Sequence, residues 1–177
     1  NPQKRGFDFN IKLLCIDTNE FCEVGDVNKD GHMDVIAGRS WYAGPDFIPH
    51  PLRDVAPQAP DYSNNNGEFL YDVDQDGWLD LLSSGYSNPT IRWYKNPGEE
   101  NLKKGMLWEE QVLVDTKQTQ NEISYFQDIN GDQIPEWIVG SWKRDNPMTL
   151  WYLAKAEREK EEKYILQADT IGLNNSH

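Results

Sequence analysis

Three stretches of this chain share one frame: "DVNKDGHMD" at 26–34, "DVDQDGWLD" at 72–80 and "DINGDQIPE" at 128–136. In each, oxygen-bearing side chains occupy alternate positions and another acid closes the ninth. An Asn stands seven residues before each first Asp: Asn19, Asn65 and Asn121. Six residues suited to a short strand precede each loop ("EFCEVG", "NGEFLY", "EISYFQ"), and an apolar run follows it ("VIAG", "LLSSG", "WIVG"). A Trp-Tyr pair comes later in every copy: Trp41-Tyr42, Trp93-Tyr94 and Trp151-Tyr152. A unit that recurs in sequence must recur in structure, so this repeat constrains the fold more than any other feature.

Each unit reads strand, acidic loop, strand, variable loop, Trp-Tyr strand, loop, strand. The last strand is expected in "LRDVA" at 52–56, "LWEEQVLVD" at 107–115 and "KYILQAD" at 163–169. Short strands between turn signals, without a long helical period, predict an all-β fold. Four antiparallel strands per tandem unit predict β-propeller blades at about 19–56, 65–115 and 121–171. Residues 1–17 read as the last strand of a preceding blade. A β-sandwich competes, but it does not require one Asn, loop and aromatic pair to return in register. Three blades are too few to close a propeller. The array is therefore expected to be an incomplete propeller, trimmed from or completed by further propeller in the same or a second chain.

Composition narrows the partners. The 177 residues carry a net charge of −13, which disfavours nucleic acid and anionic membranes. No apolar run is long enough to enter a bilayer as a helix. Seven Trp, eight Tyr and six Phe give a modest hydrophobic fraction enough bulk for a core. Cys15 and Cys22 are too few for a disulfide framework; in a propeller they fall on different blades and are not expected to join. Residues 155–163, "KAEREKEEK", read as a solvated helical turn or a charged loop.

Crowded carboxylates repel unless a cation sits among them. A hard cation such as calcium takes six to eight oxygens, which alternate side chains and one backbone carbonyl of a tight loop can supply. The expected ligands are Asp26, Asn28, Asp30, the carbonyl of His32 and Asp34 in the first loop. Asp72, Asp74, Asp76, the carbonyl of Trp78 and Asp80 serve the second. Asp128, Asn130, Asp132, the carbonyl of Ile134 and Glu136 serve the third. Gly31 and Gly77 stand where the loop turns sharply, but Gln133 holds that place in the third, which predicts weaker binding there. The twelfth positions are Ala37, Ser83 and Val139 rather than Glu, so these are not EF-hands. Two to three calcium sites are expected.

These loops, "VGDVNKDGHMDVIAG" above all, resemble the FG-GAP or VCBS repeats of integrin-type and bacterial extracellular β-propellers. "NEFCEVGDVNKDGHMDVIAGRSWYAGPDF" and "LYDVDQDGWLDLLSSG…RWYKNPG" further resemble secreted propellers of planctomycete-like bacteria. The outline is distantly similar to the propeller of fungal aldos-2-ulose dehydratase. The resemblance implies calcium within blades, an extracytoplasmic location (secreted, periplasmic or cell surface) and a frequent link to carbohydrate. It fixes no activity.

Antiparallel topology places the acidic loops at one end of each sheet and the 2→3 and 4→1 connections at the other, where ligands are expected. Asn19, Glu20, Asn65, Asn66, Asn121 and Glu122 fall there, with His177 near the equivalent place in the next unit. They would converge on a propeller axis and hold a further divalent metal or a sugar. The alternative is that the Asn side chains cap strand starts through local backbone. Arg39, Tyr86, Trp142, Lys143 and Arg144 come from the 2→3 loops, and the Pro-rich stretch 44–64 is a long restrained loop. No nucleophile elbow, phosphate loop or Cys-rich cluster appears. Three functions compete: a non-catalytic module binding carbohydrate or a protein, a sugar lyase or dehydratase using Glu20, Glu122 or His177, and a structural subunit of a larger assembly.

Overall fold

The computed structural model describes residues 6, 8–55, 57–59, 62–63, 65–155 and 164–173. The first sheet contains β1 (Cys22–Gly25), β2 (Asp34–Ala37), β3 (Ser40–Ala43) and β4 (Ile48–Pro51). A small hairpin, β5 (Pro57–Ala59) and β6 (Tyr62–Ser63), leads to the second sheet. That sheet contains β7 (Glu68–Tyr71), β8 (Asp80–Ser83), β9 (Thr90–Lys95) and β10 (Glu109–Asp115), with a short helix α1 (Glu99–Lys103) before the last strand. The third contains β11 (Asn121–Gln127), β12 (Glu136–Ser141), β13 (Pro147–Lys155) and β14 (Tyr164–Leu173). Each is a four-stranded antiparallel meander in chain order. The antiparallel β architecture expected from the repeat is thus present.

The second sheet is sandwiched, which explains why Asp80–Ser83, "DLLS", is buried at every position. A strand covered on both faces needs apolar residues without alternation. Leu81 and Tyr94 face the first sheet, where they meet Val27, Ile36, Trp41 and Leu52. Leu82, Ile91 and Trp93 face the third sheet, where they meet Trp137, Val139 and Trp151. Phe69 packs at 5.1 Å from Trp137 and 5.5 Å from Phe126, the first of these edge-on, a favourable aromatic arrangement.

Cross-strand register corrects one element of the repeat. The residue after each loop's final acid opposes Tyr42, Tyr94 and Trp151: the pairs are Val35–Tyr42, Leu81–Tyr94 and Trp137–Trp151. The third copy is therefore Leu150-Trp151, not Trp151-Tyr152. Register fixes which face a side chain takes, so a slip of one residue reverses it. Trp151 consequently packs back on the second sheet, whereas Trp41 and Trp93 face the sheet that follows theirs. Tyr125, Ile138 and Leu150 form the opposite face, and Tyr125 is 62 % exposed.

The fourth strand of the first sheet also differs from expectation, lying at Ile48–Pro51 rather than in 52–56. Pro49 and Pro51 lack an N–H and are suited to this outer edge. Leu52 and Arg53 instead donate their N–H groups to the carbonyl of Arg39 and turn inward, both buried. The stretch 44–64 accordingly contains β4 and the β5–β6 hairpin. Residues 8–21 form no strand, since a strand exists only through a paired neighbour; Phe9, Ile11, Leu13 and Ile16 are exposed. Cys15 and Cys22 are both free and exposed. His177 and residues 156–163 lie outside the described residues.

Candidate functional site

Three hydrogen bonds recur in all three acidic loops. The final acid accepts an N–H from the loop's second residue: Val27 to Asp34 at 2.9 Å, Val73 to Asp80 at 3.1 Å and Ile129 to Glu136 at 2.8 Å. The first Asp accepts one from the sixth residue: Gly31 to Asp26 at 3.0 Å, Gly77 to Asp72 at 2.8 Å and Gln133 to Asp128 at 2.9 Å. The fifth-position Asp accepts one from the seventh residue: His32 to Asp30, Trp78 to Asp76 and Ile134 to Asp132. The last set holds the residues whose carbonyls complete the expected ligand sphere. Asp34 and Asp80 use their other oxygen to accept from Gly44 and Asn96, tying the loop to the end of the third strand.

Backbone conformation explains the odd third loop. Residues four and six are left-handed in all three: Lys29 (φ 60°) and Gly31 (φ 87°), Gln75 (60°) and Gly77 (87°), Gly131 (84°) and Gln133 (73°). Glycine has moved from the sixth position to the fourth, leaving Gln133 to adopt a conformation disfavoured by about 1–2 kcal/mol for a residue with a Cβ. We expect Gln133→Gly to raise stability by roughly 1 kcal/mol, read as a higher urea midpoint at unchanged slope. A lower midpoint counts against this account.

The second loop holds the densest charge. Asp72, Asp74 and Asp80 each offer an oxygen within 4.8 Å of the others. Asp72 Oδ1 is buried with no hydrogen-bond partner among the described residues, a state that costs free energy unless a cation or water meets it. Burial pushes the Asp80 carboxyl up to about 7 against the N–H bonds that favour its anion, and burial likewise raises Asp34. Asp30, exposed, is lowered by the His32 N–H and the Asn28 side chain. An all-oxygen donor set with a buried orphan and a carboxyl reluctant to ionise fits a hard divalent cation.

Sequence reading missed Lys95. Its ammonium bonds Asp74 and lies 3.2 Å from Asp76. Burial alone would lower this group, but the two carboxylates outweigh burial and raise it. The second loop has four carboxylates where the others have three, and Lys95 balances the extra one. The third sheet has Tyr152 in the corresponding place, opposite Glu136. Lys95→Met is expected to tighten metal binding at this loop about tenfold, roughly 1.4 kcal/mol, as a leftward shift in a calorimetric calcium titration. Unchanged or weaker affinity would show that Lys95 does not compete.

Neighbouring loops touch one another. Asn96 donates to the carbonyls of Val27 and Leu79, and the Lys29 ammonium lies 4.1 Å from the Trp78 ring centre. A cleft of about 470 Å³ opens beside the first loop, where Trp41 stacks on His50.

At the opposite end the expected residues separate into two groups. Asn65, Asn66 and Asn121 are buried; Asn65 bonds Asn19 and, at 3.2 Å, Glu68. Asn19 and Asn121 donate to the nearby carbonyls of Phe21 and Gln118, as local caps do. Glu20 and Glu122 are exposed, as are Arg39, Trp142 and Arg144; Arg39 donates to the Val55 carbonyl at 3.2 Å. The acid this end does bury is Glu68, ion-paired with Arg53. Both fall in segments whose sequence resembles ordinary loop and strand, so nothing local announces them.

A family model for FG-GAP-like repeats matches residues 72–139, from the first aspartate of the second loop to Val139 in β12. That span supports an FG-GAP repeat and, with the three meanders, a β-propeller-like module. No curated protein and no solved structure matches the chain. Among the described residues, no helix is long and apolar enough to cross a membrane.

Proposed function

We propose that this chain is a calcium-stabilised portion of an extracytoplasmic β-propeller that recognises carbohydrate or a protein partner. The carrying observation is the threefold recurrence of one loop conformation, with its first, third, fifth and ninth side chains presenting oxygens. Calcium would be held by Asp26, Asn28, Asp30 and Asp34, by Asp72, Asp74, Asp76 and Asp80, and by Asp128, Asn130, Asp132 and Glu136. The ion would supply positive charge that binds the folded loop and not the unfolded chain, stabilising the fold by mass action. The row of exposed Tyr125 and half-buried Ile138 and Leu150 supports further propeller packing against the third sheet, since stacked repeats bury such faces against neighbours.

The test is calorimetric titration of chelator-treated chain with calcium, together with melting in calcium and in chelator. Two to three sites and a higher melting temperature with calcium are expected. Absence of binding heat together with identical melting curves would overturn the proposal.

A further inference from the structure

The face of the second sheet turned toward the first changes character along its length. Near the metal loops its cross-strand row is Leu70–Leu81–Tyr94. Two residues further along, toward the other end, the row is Glu68–Ser83–Arg92. In the third sheet the matching row contains Val139 and Thr149. Burying Glu68 fully and Arg92 in part, where the third sheet has Val139 and Thr149, is a local departure of the kind proteins keep at sites of function. A cavity of about 170 Å³ lies there, between this polar row and the segment after β4. Its wall includes Arg53, Asn88, Arg92, Tyr94 and Glu110.

We propose that this cavity binds one ring of a neutral sugar, which deepens the carbohydrate half of the reading above and rests on it. Size limits the ligand, because drug-sized sites run to roughly 300–1,000 Å³ and this one is smaller. Charge limits it further. Arg53 is already paired with Glu68, and Arg92 Nε lies 2.8 Å from Glu110 Oε1. Asp54 also lines the wall and is exposed, so an anion finds no unbalanced partner and the one carboxylate left over faces water. The remaining valences alternate. Asn88 uses its carbonyl to accept from Thr90 N and Oγ1, leaving amide hydrogens to donate. Arg92 has further guanidinium donors, and Glu110 and Asp54 have further acceptor oxygens. Closely spaced donors and acceptors on planar groups match adjacent hydroxyls, each of which donates one bond and accepts others. The floor is rigid, since Arg53 lies 4.8 Å from the Tyr94 ring centre and both are buried.

The experiment is saturation-transfer NMR on the chain with free neutral hexoses, deoxyhexoses and pentoses, with sodium sulfate and sodium acetate titrated in parallel. At least one sugar is expected to bind. Arg92→Gln and Asn88→Ala should each weaken it about tenfold, the size of a lost charge-assisted or paired hydrogen bond, with the calcium-dependent melting shift unchanged. Absence of transfer from every sugar, or tighter binding of sulfate or acetate, overturns the assignment. Glycan-array binding that survives both substitutions overturns the pocket while leaving the carbohydrate reading standing. An array with no bound glycan removes both.

Discussion

Arg53→Met is expected to destabilise the chain by roughly 3–5 kcal/mol. Arg53 is 4 % exposed and Glu68 0 %, so the substitution strands a carboxylate between the first two sheets. Burial lowers the Arg53 guanidinium to about 10, which still leaves it charged at neutral pH. The pair itself need not be worth that much. Two desolvated charges regain in attraction about what they lose in hydration, and the large cost appears only when one is left alone. Glu68→Leu should therefore be costly too, and Arg53→Met with Glu68→Leu should recover much of the loss. Urea unfolding of the four proteins measures the coupling. If each single substitution costs under about 1 kcal/mol, the typical value for an exposed pair, the pair is more hydrated than its burial implies.

The acidic loops were legible in the sequence because their chemistry is local. Nine consecutive residues determine the fold of each loop, and the same spacing gives the same hydrogen bonds three times. The sheets were legible for a related reason, since hairpin-linked strands pair with their neighbours in the chain. What escaped depends on register or on distance. Trp151 follows the Trp-Tyr pattern in letters but stands one place out of frame, because β13 is longer than β3 and β9 and pairs from a different starting point. Gln133 looked like a lost glycine, although the glycine had moved two places to Gly131. The Arg53–Glu68 pair and the Lys95 contact to Asp74 join residues 15 and 21 apart. A charge in a strand carries no mark of which opposing charge the fold will bring to it.

The second large effect is the response of the metal loops to pH and calcium. Without metal, the folded chain holds the Asp80 proton up to about pH 7, whereas an unfolded chain releases it near the ordinary 3.8. The folded state then binds more protons than the unfolded one across that interval, so unfolding free energy falls as pH rises. The stabilisation is fully present below about pH 4 and gone once pH passes about 7. The slope cannot exceed about 1.4 kcal/mol per pH unit for this one group, and Asp34, also raised by burial, adds to it in the same direction. Calcium reverses the trend, because it binds the ionised carboxylates and displaces their protons. At a hundredfold excess over Kd each site contributes about 2.7 kcal/mol, most strongly above pH 7 where no proton competes. The expected result is two melting profiles that diverge with pH, falling in chelator from pH 5 to about 7 and flat or rising in calcium. Asp80→Asn should flatten the chelator profile and abolish the calcium response of the second loop. Parallel profiles, or a chelator profile that rises with pH, would mean that Asp80 is already ionised in the folded chain, and the case for a cation at its side would lose its electrostatic basis.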